Sequence, residues 1–176
     1  MKNILVIIAG SLWLLGCGKR DTSQRDAKAG PSAGSNQSAV VTPSRQAVLR
    51  ADPHDTRPVQ GDWIPVQAQL GGQPLPDTVL KTIRLKLGEG TYDVSVGGAP
   101  DQGTFEVDAS TTPKRMVIRG TVGPNKDRTI PAIYEIESDT LRICYDLSGA
   151  QHPAWFSSPA GTKLYLVSYA RKKSPQ

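Results

Sequence analysis

The chain has 176 residues, with 21 Lys and Arg against 16 Asp and Glu, a formal net charge of +5. That length suits one domain, and an isoelectric point near 9.3 raises the question of nucleic acid. The basic residues are scattered, with no helical stripe and no interleaved aromatics, so nucleic acid is not an expected partner.

Residues 1–17, MKNILVIIAGSLWLLGC, form the most distinctive segment. Lys2 supplies a charged start, and residues 4–15 contain no charged side chain. This is the make-up of a secretory signal peptide, and the apolar run is too short to span a bilayer. Its ending, Leu14-Leu15-Gly16-Cys17, resembles a bacterial lipobox, in which the cysteine becomes lipidated. The resemblance implies a signal peptide over 1–16, cleavage before Cys17 and acylation of that residue. Several acyl chains then anchor the protein stably to a membrane, each buried methylene contributing about 0.8 kcal/mol. Gly18, where lipoproteins kept on the inner membrane carry Asp, implies the outer membrane or a periplasm-facing surface.

Loss of residues 1–16 removes Lys2 alone among the charged groups, leaving one unit less than the original +5. Residues 18–58 carry seven basic and four acidic side chains, so most of the remaining surplus lies there. Within them, residues 29–38 contain no large apolar side chain and no period. Such a stretch cannot bury enough surface to offset chain entropy, so 17–58 is expected to be the lipidated cysteine and a disordered tether. About 40 residues of this kind span about 35 Å as a flexible coil. Acylation of Cys17 would leave Cys144 with no partner, so no internal disulfide is expected.

From Gly61 onward apolar and polar residues alternate at period two, with turn residues about every 8 to 12 positions. The pattern predicts a first strand over 61–70, ending at Gly71-Gly72. Pro74-Leu75-Pro76-Asp77 then opens a short helical turn over 78–82, with Asp77 as its N-cap. Ile83, Leu85 and Leu87 share one strand face, and Tyr92, Val94 and Val96 another, with Gly88-Glu89-Gly90 between them. Phe105 and Val107 follow the Gly97-Gly98 turn, then Met116, Ile118, Gly120 and Val122. Ile130, Ala132, Tyr134 and Ile136 line the next strand, and Ser138-Asp139 turns into Leu141, Ile143 and Tyr145. The last strand covers 163–169 and is apolar on both faces, so an outside cover is expected, with the short helix as candidate. Pro131 cannot donate to a ladder and marks an edge or a bulge. About eight short antiparallel strands in up-and-down order, with one short helix after the first, predict an all-β barrel over 59–173, followed by a tail at 174–176.

Gly61-Asp62-Trp63 resembles the Gly-x-Trp that opens the first strand of lipocalins. Gly72-Gln73-Pro74-Leu75-Pro76, Gly103-Thr104-Phe105 and Ile130-Pro131-Ala132-Ile133-Tyr134-Glu135 follow in order. Asp139-Thr140-Leu141-Arg142-Ile143-Cys144-Tyr145 and Phe156-Ser157-Ser158-Pro159 complete the series. Together they resemble a lipocalin-like domain family abundant in planctomycete bacteria and uncharacterised in function. The resemblance implies a small lipocalin-like barrel behind an export signal and no particular reaction. One departure is His152-Pro153-Ala154-Trp155, where the family tends towards Arg-Pro-Thr-Glu.

The candidate ligand-binding residues are Trp63, Tyr92, Phe105, Tyr134, Tyr145 and Trp155. Trp63 either floors a ligand cavity or, the favoured reading, plugs the closed end of the barrel. An eight-stranded barrel either fills with side chains or holds one small ligand, and the apolar faces lean slightly to the filled case. Cys144 shares a face with Arg142 and Asp146, and a buried inert thiol is favoured over a nucleophile. His54 falls in the tether and His152 in a loop, so neither a hydrolytic triad nor a metal site is expected, and no cofactor. The acidic residues read as solvated surface. These residues point to a lipid-anchored envelope protein that binds a small apolar ligand without a chemical step. The alternative is a protein–protein interaction module with a fully packed barrel.

Overall fold

A computed structural model describes residues 52–173, so the signal segment, Cys17 and most of the tether lie outside the described residues. The strands are β1 (Gly61–Leu70), β2 (Gln73–Pro74), β3 (Ile83–Leu87), β4 (Thr91–Val96) and β5 (Ala99–Asp108). They continue as β6 (Lys114–Val122), β7 (Thr129–Glu137), β8 (Thr140–Asp146) and β9 (Leu164–Arg171). Every neighbouring pair is antiparallel, and β9 returns to pair with β1 from Trp63↔Arg171 to Leu70↔Tyr165. Eight strands therefore close an up-and-down barrel, and the two-residue β2 is a ninth that folds back on the end of β1. Closure pairs the first and last strands of the barrel and leaves unpaired edge only where β1 and β3 part beyond Trp63, which limits edge-to-edge association.

Turn chemistry sets the hairpins. Gly71 and Gly72, and likewise Gly97 and Gly98, all take positive φ between strands joined by two residues. That is the backbone a tight hairpin requires, and glycine reaches it without penalty. Two of the strand prolines, Pro131 and Pro65, sit where the ladder starts or shifts. Pro131 pairs with Val117 on β6, while the β8 ladder begins one residue later at Ala132. Pro65 marks a register shift against β9, which leaves Val66 59 % exposed.

One end of the barrel is shut. A 3-10 turn (Arg57–Val59) precedes β1, and Val59 and Trp63 are each 1 % exposed. The Trp63 indole N–H donates to the Val59 carbonyl at 2.9 Å, and the Arg171 guanidinium lies 4.2 Å from the ring centroid. His54 Nδ1 is 2.8 Å from the Val107 carbonyl, and the Ala109 N–H donates to the Pro53 carbonyl. Residues 52–58, expected as tether, thus belong to the base of the barrel. The reason is local: Thr56, Arg57 and Pro58 turn the chain so that Val59 enters the core.

The other end is loosely closed. β1 pairs with β3 only through Gly61–Trp63, then follows β9 instead. The wedge between them is occupied by the segment after β2, where the Leu75 N–H donates to the Ala68 carbonyl at 2.9 Å. The helix α1 (Asp77–Leu80) is one turn, with Pro76 in the N-cap position and Asp77 already helical, so Asp77 does not cap it. Residues 147–163 run along the outside of β7 and β8, not over the last strand, for which an outer cover was expected. Cys144 donates its S–H to the Ser157 carbonyl, Arg142 donates to the Phe156 carbonyl, and His152 Nδ1 sits 2.9 Å from the Ala132 carbonyl. This strap buries the outward faces of β7 and β8, which explains why Ile133 and Cys144 are inaccessible despite pointing away from the barrel centre.

Candidate functional site

The inward faces divide the barrel into a packed half and a hollow half. Towards the base, Leu141 is fully buried and Val107 nearly so. Above them lies a cavity of about 630 Å³. Leu85, Met116 and Ile143 are among its apolar walls, and Leu70, Val79 and Thr82 are among the residues at its mouth. The slight expectation of a filled barrel is therefore corrected. The short β1–β3 ladder holds this side of the barrel open, and the one-turn helix borders the gap without plugging it. The volume lies in the range of sites that enclose a small molecule.

Of the six candidate residues, Tyr92, Phe105 and Tyr145 line the cavity. Trp63 and Tyr134 do not. Trp63 belongs to the base plug. Tyr134 pairs with Lys114 at the first residue of β6, 4 % exposed, with the Lys114 ammonium 6.0 Å from its ring centroid. Trp155 is 77 % exposed on the strap and does not border the cavity, which the strap reaches at Leu147, its first residue.

One corner of the cavity is polar. The Asp101 side chain, 9 % exposed, accepts a hydrogen bond from the Tyr92 hydroxyl at 3.4 Å and another from the Asn125 amide. All three residues line the cavity. Two glycines build this corner. At Gly103 an added Cβ would lie 2.7 Å from the Tyr92 ring and collide with the Arg119 carbonyl, so glycine lets that ring cross the strand. At Gly120 a Cβ would collide with the Asn125 backbone, so glycine lets the β6–β7 loop fold back and present Asn125 to Asp101. Arg128 secures the loop from behind, donating to the Asn125 side-chain oxygen at 3.0 Å and to the Leu147 carbonyl at 2.5 Å.

Burial raises the Asp101 carboxyl above its usual range, and hydrogen bonds from Asn125 and Tyr92 and the charge of Arg128 only partly oppose this. Burial likewise pushes the Tyr92 phenol well up, and the Asp101 charge adds to it. Tyr145 and Tyr165 stack with centroids 5.8 Å apart, and Tyr145 shares a hydrogen bond with Tyr169. Burial raises all three phenols, so they remain neutral and offer O–H groups and ring faces to a guest.

Asp101 was missed because the acidic residues were read as surface. Its signal was present: stepping back by two from Val107 and Phe105 passes through Gly103 to Asp101, on the same inward face. Asp146 was missed in the same way. It is 6 % exposed and accepts from the backbone N–H groups of Ser148 and Gln151, which starts the strap.

Cys144 is fully buried, and burial raises its thiol, while the Ser157 contact and Arg142 only partly counter this. That environment favours the unreactive thiol. Among the described residues no group of three or more His, Cys, Asp or Glu side chains is placed to hold a metal. No protein-family model matches the chain, and neither does any curated protein or solved structure.

Proposed function

We propose that this chain is an exported, lipid-anchored envelope protein whose lipocalin-like barrel binds one small apolar molecule as a carrier or sensor. The observation that carries the reading is the cavity of about 630 Å³, walled by aliphatic and aromatic side chains with one polar corner. Cavities of this size and lining suit a ligand held mainly by apolar contact and oriented by a few polar groups. Acylation at Cys17 and the membrane as partner rest on the sequence of residues 1–17. The reading involves binding without a chemical step. The alternative, an interaction module, called for a fully packed barrel, and the hollow upper half favours the carrier.

The test is native mass spectrometry on the mature chain from residue 17, carrying Cys17→Ser and exported in its own host behind a cleavable signal. Neither detergent nor an acyl anchor then enters the solution. A reproducible extra mass, released by organic solvent, is the expected result. A bare chain that takes up nothing from a lipid extract of the same host would overturn the proposal.

A further inference from the structure

The chemistry of the polar corner narrows the class of guest, on the premise that the cavity is a binding site. We infer that the cavity takes an apolar molecule whose polar end donates a hydrogen bond, a hydroxyl or an ammonium, and discriminates against fatty carboxylates.

Among the described residues, none that lines the cavity is Lys, Arg or His, so this wall offers a carboxylate no cationic partner. The one carboxylic acid among the described residues of that wall is Asp101. A carboxylate offers about four acceptor positions. Here the Asn125 side-chain amide and backbone N–H occupy two and the Tyr92 hydroxyl approaches a third at 3.4 Å, long for an O–H···O bond. A buried carboxylate is costly unless well supplied with donors. Asp101 thus has acceptor capacity to spare, and a guest's O–H or N–H would satisfy it. Arg128 is not among the residues lining the cavity, and its charge only partly offsets the effect of burial on Asp101. Its guanidinium is held by the Asn125 side-chain oxygen and the Leu147 carbonyl, so a guest meets Asp101, Asn125 and Tyr92 first. A guest carboxylate would instead face Asp101 in a poorly hydrated pocket, where like charges repel strongly.

The experiment uses the same mature chain with Cys17→Ser and the neutral fluorescent dye N-phenylnaphthylamine as reporter. Decanol, decylamine and decanoate compete for it at mildly alkaline pH, where decanoate is ionised and decylamine protonated. Decanol and decylamine should displace the dye at concentrations at least about tenfold below decanoate, the scale expected of one like-charge contact in a partly screened pocket. Asp101→Asn should bring decanoate to within about threefold of decanol, since its penalty is removed. Decanoate matching decanol on the unaltered chain would overturn the inference while leaving the cavity reading intact. Failure of the dye and all three competitors to bind would overturn the cavity reading and this inference with it. If Asp101→Asn does not fold, the comparison on the unaltered chain still decides.

Discussion

Replacing Trp63 by Ala should be the most damaging single truncation at the base of the barrel. The side chain is 1 % exposed, its N–H is bonded to the Val59 carbonyl, and its ring carries the Arg171 guanidinium at 4.2 Å. Truncating a buried Trp costs about 3–5 kcal/mol, including the void left behind. The Val59 carbonyl loses its donor, and Arg171 loses a contact worth about 0.5–2 kcal/mol, so the upper part of that range applies. A domain of this size holds roughly 6–18 kcal/mol in total, so the loss is a sizeable fraction of it. Trp155→Ala is the control: at 77 % exposure it should change stability by no more than about 0.5 kcal/mol. Urea unfolding followed by far-UV circular dichroism measures both. Trp63→Phe should fall between them, keeping much of the ring volume but losing the N–H. A Trp63→Ala cost below about 1.5 kcal/mol, or one equal to Trp155→Ala, would refute the base-plug argument.

Gly103→Ala should destabilise by about 1–3 kcal/mol, the usual cost of overpacking, since its methyl meets the Tyr92 ring and the Arg119 carbonyl; the same urea titration reads it. Ile118→Trp sends a larger side chain into existing space, so stability should stay within about 1.5 kcal/mol while N-phenylnaphthylamine fluorescence enhancement is lost. Burial raises the Asp146 carboxyl, but hydrogen bonds from Ser148, Gln151 and Ala150 more than offset this and hold it below its usual value. Its contribution is therefore present above the unfolded carboxyl range and lost as pH falls through the lowered folded value. Stability measured against pH should drop on acidification, and Asp146→Asn should flatten that drop.

The barrel was legible because its signals are local. Alternation placed Leu85, Tyr92, Phe105, Ile130 and Ile143 on inward faces, and paired glycines marked the hairpins at 71–72 and 97–98. The hollow was not legible, because it depends on how far the ladder between β1 and β3 extends, and a long-range register leaves no periodic trace in either strand. Tyr134 and Tyr145 illustrate the limit. Both face inward, yet one packs at the base and the other lines the cavity, since depth along the barrel is set by strand stagger. His54 was misplaced in the tether for a related reason, while His152 lies in a loop as expected. His54 and His152 lie in segments without alternation, but each is tied to a strand carbonyl distant in sequence. Asp101 differs, since its inward position follows from period two alone and was obscured by the habit of assigning charge to the surface.

The pairing of β1 with β9 also has a kinetic meaning. The ladder from Trp63↔Arg171 to Leu70↔Tyr165 joins the first and last strands of the barrel, so it cannot form until nearly the whole chain is available. The hairpins between them can assemble early from neighbouring sequence. Closure must wait for a loop about a hundred residues long to come together, which is entropically slow. Until then both end strands present open edges, and the aliphatic walls face solvent. A chain truncated before Leu164 would remain in that condition permanently, an unclosed sheet prone to pair with its own copies.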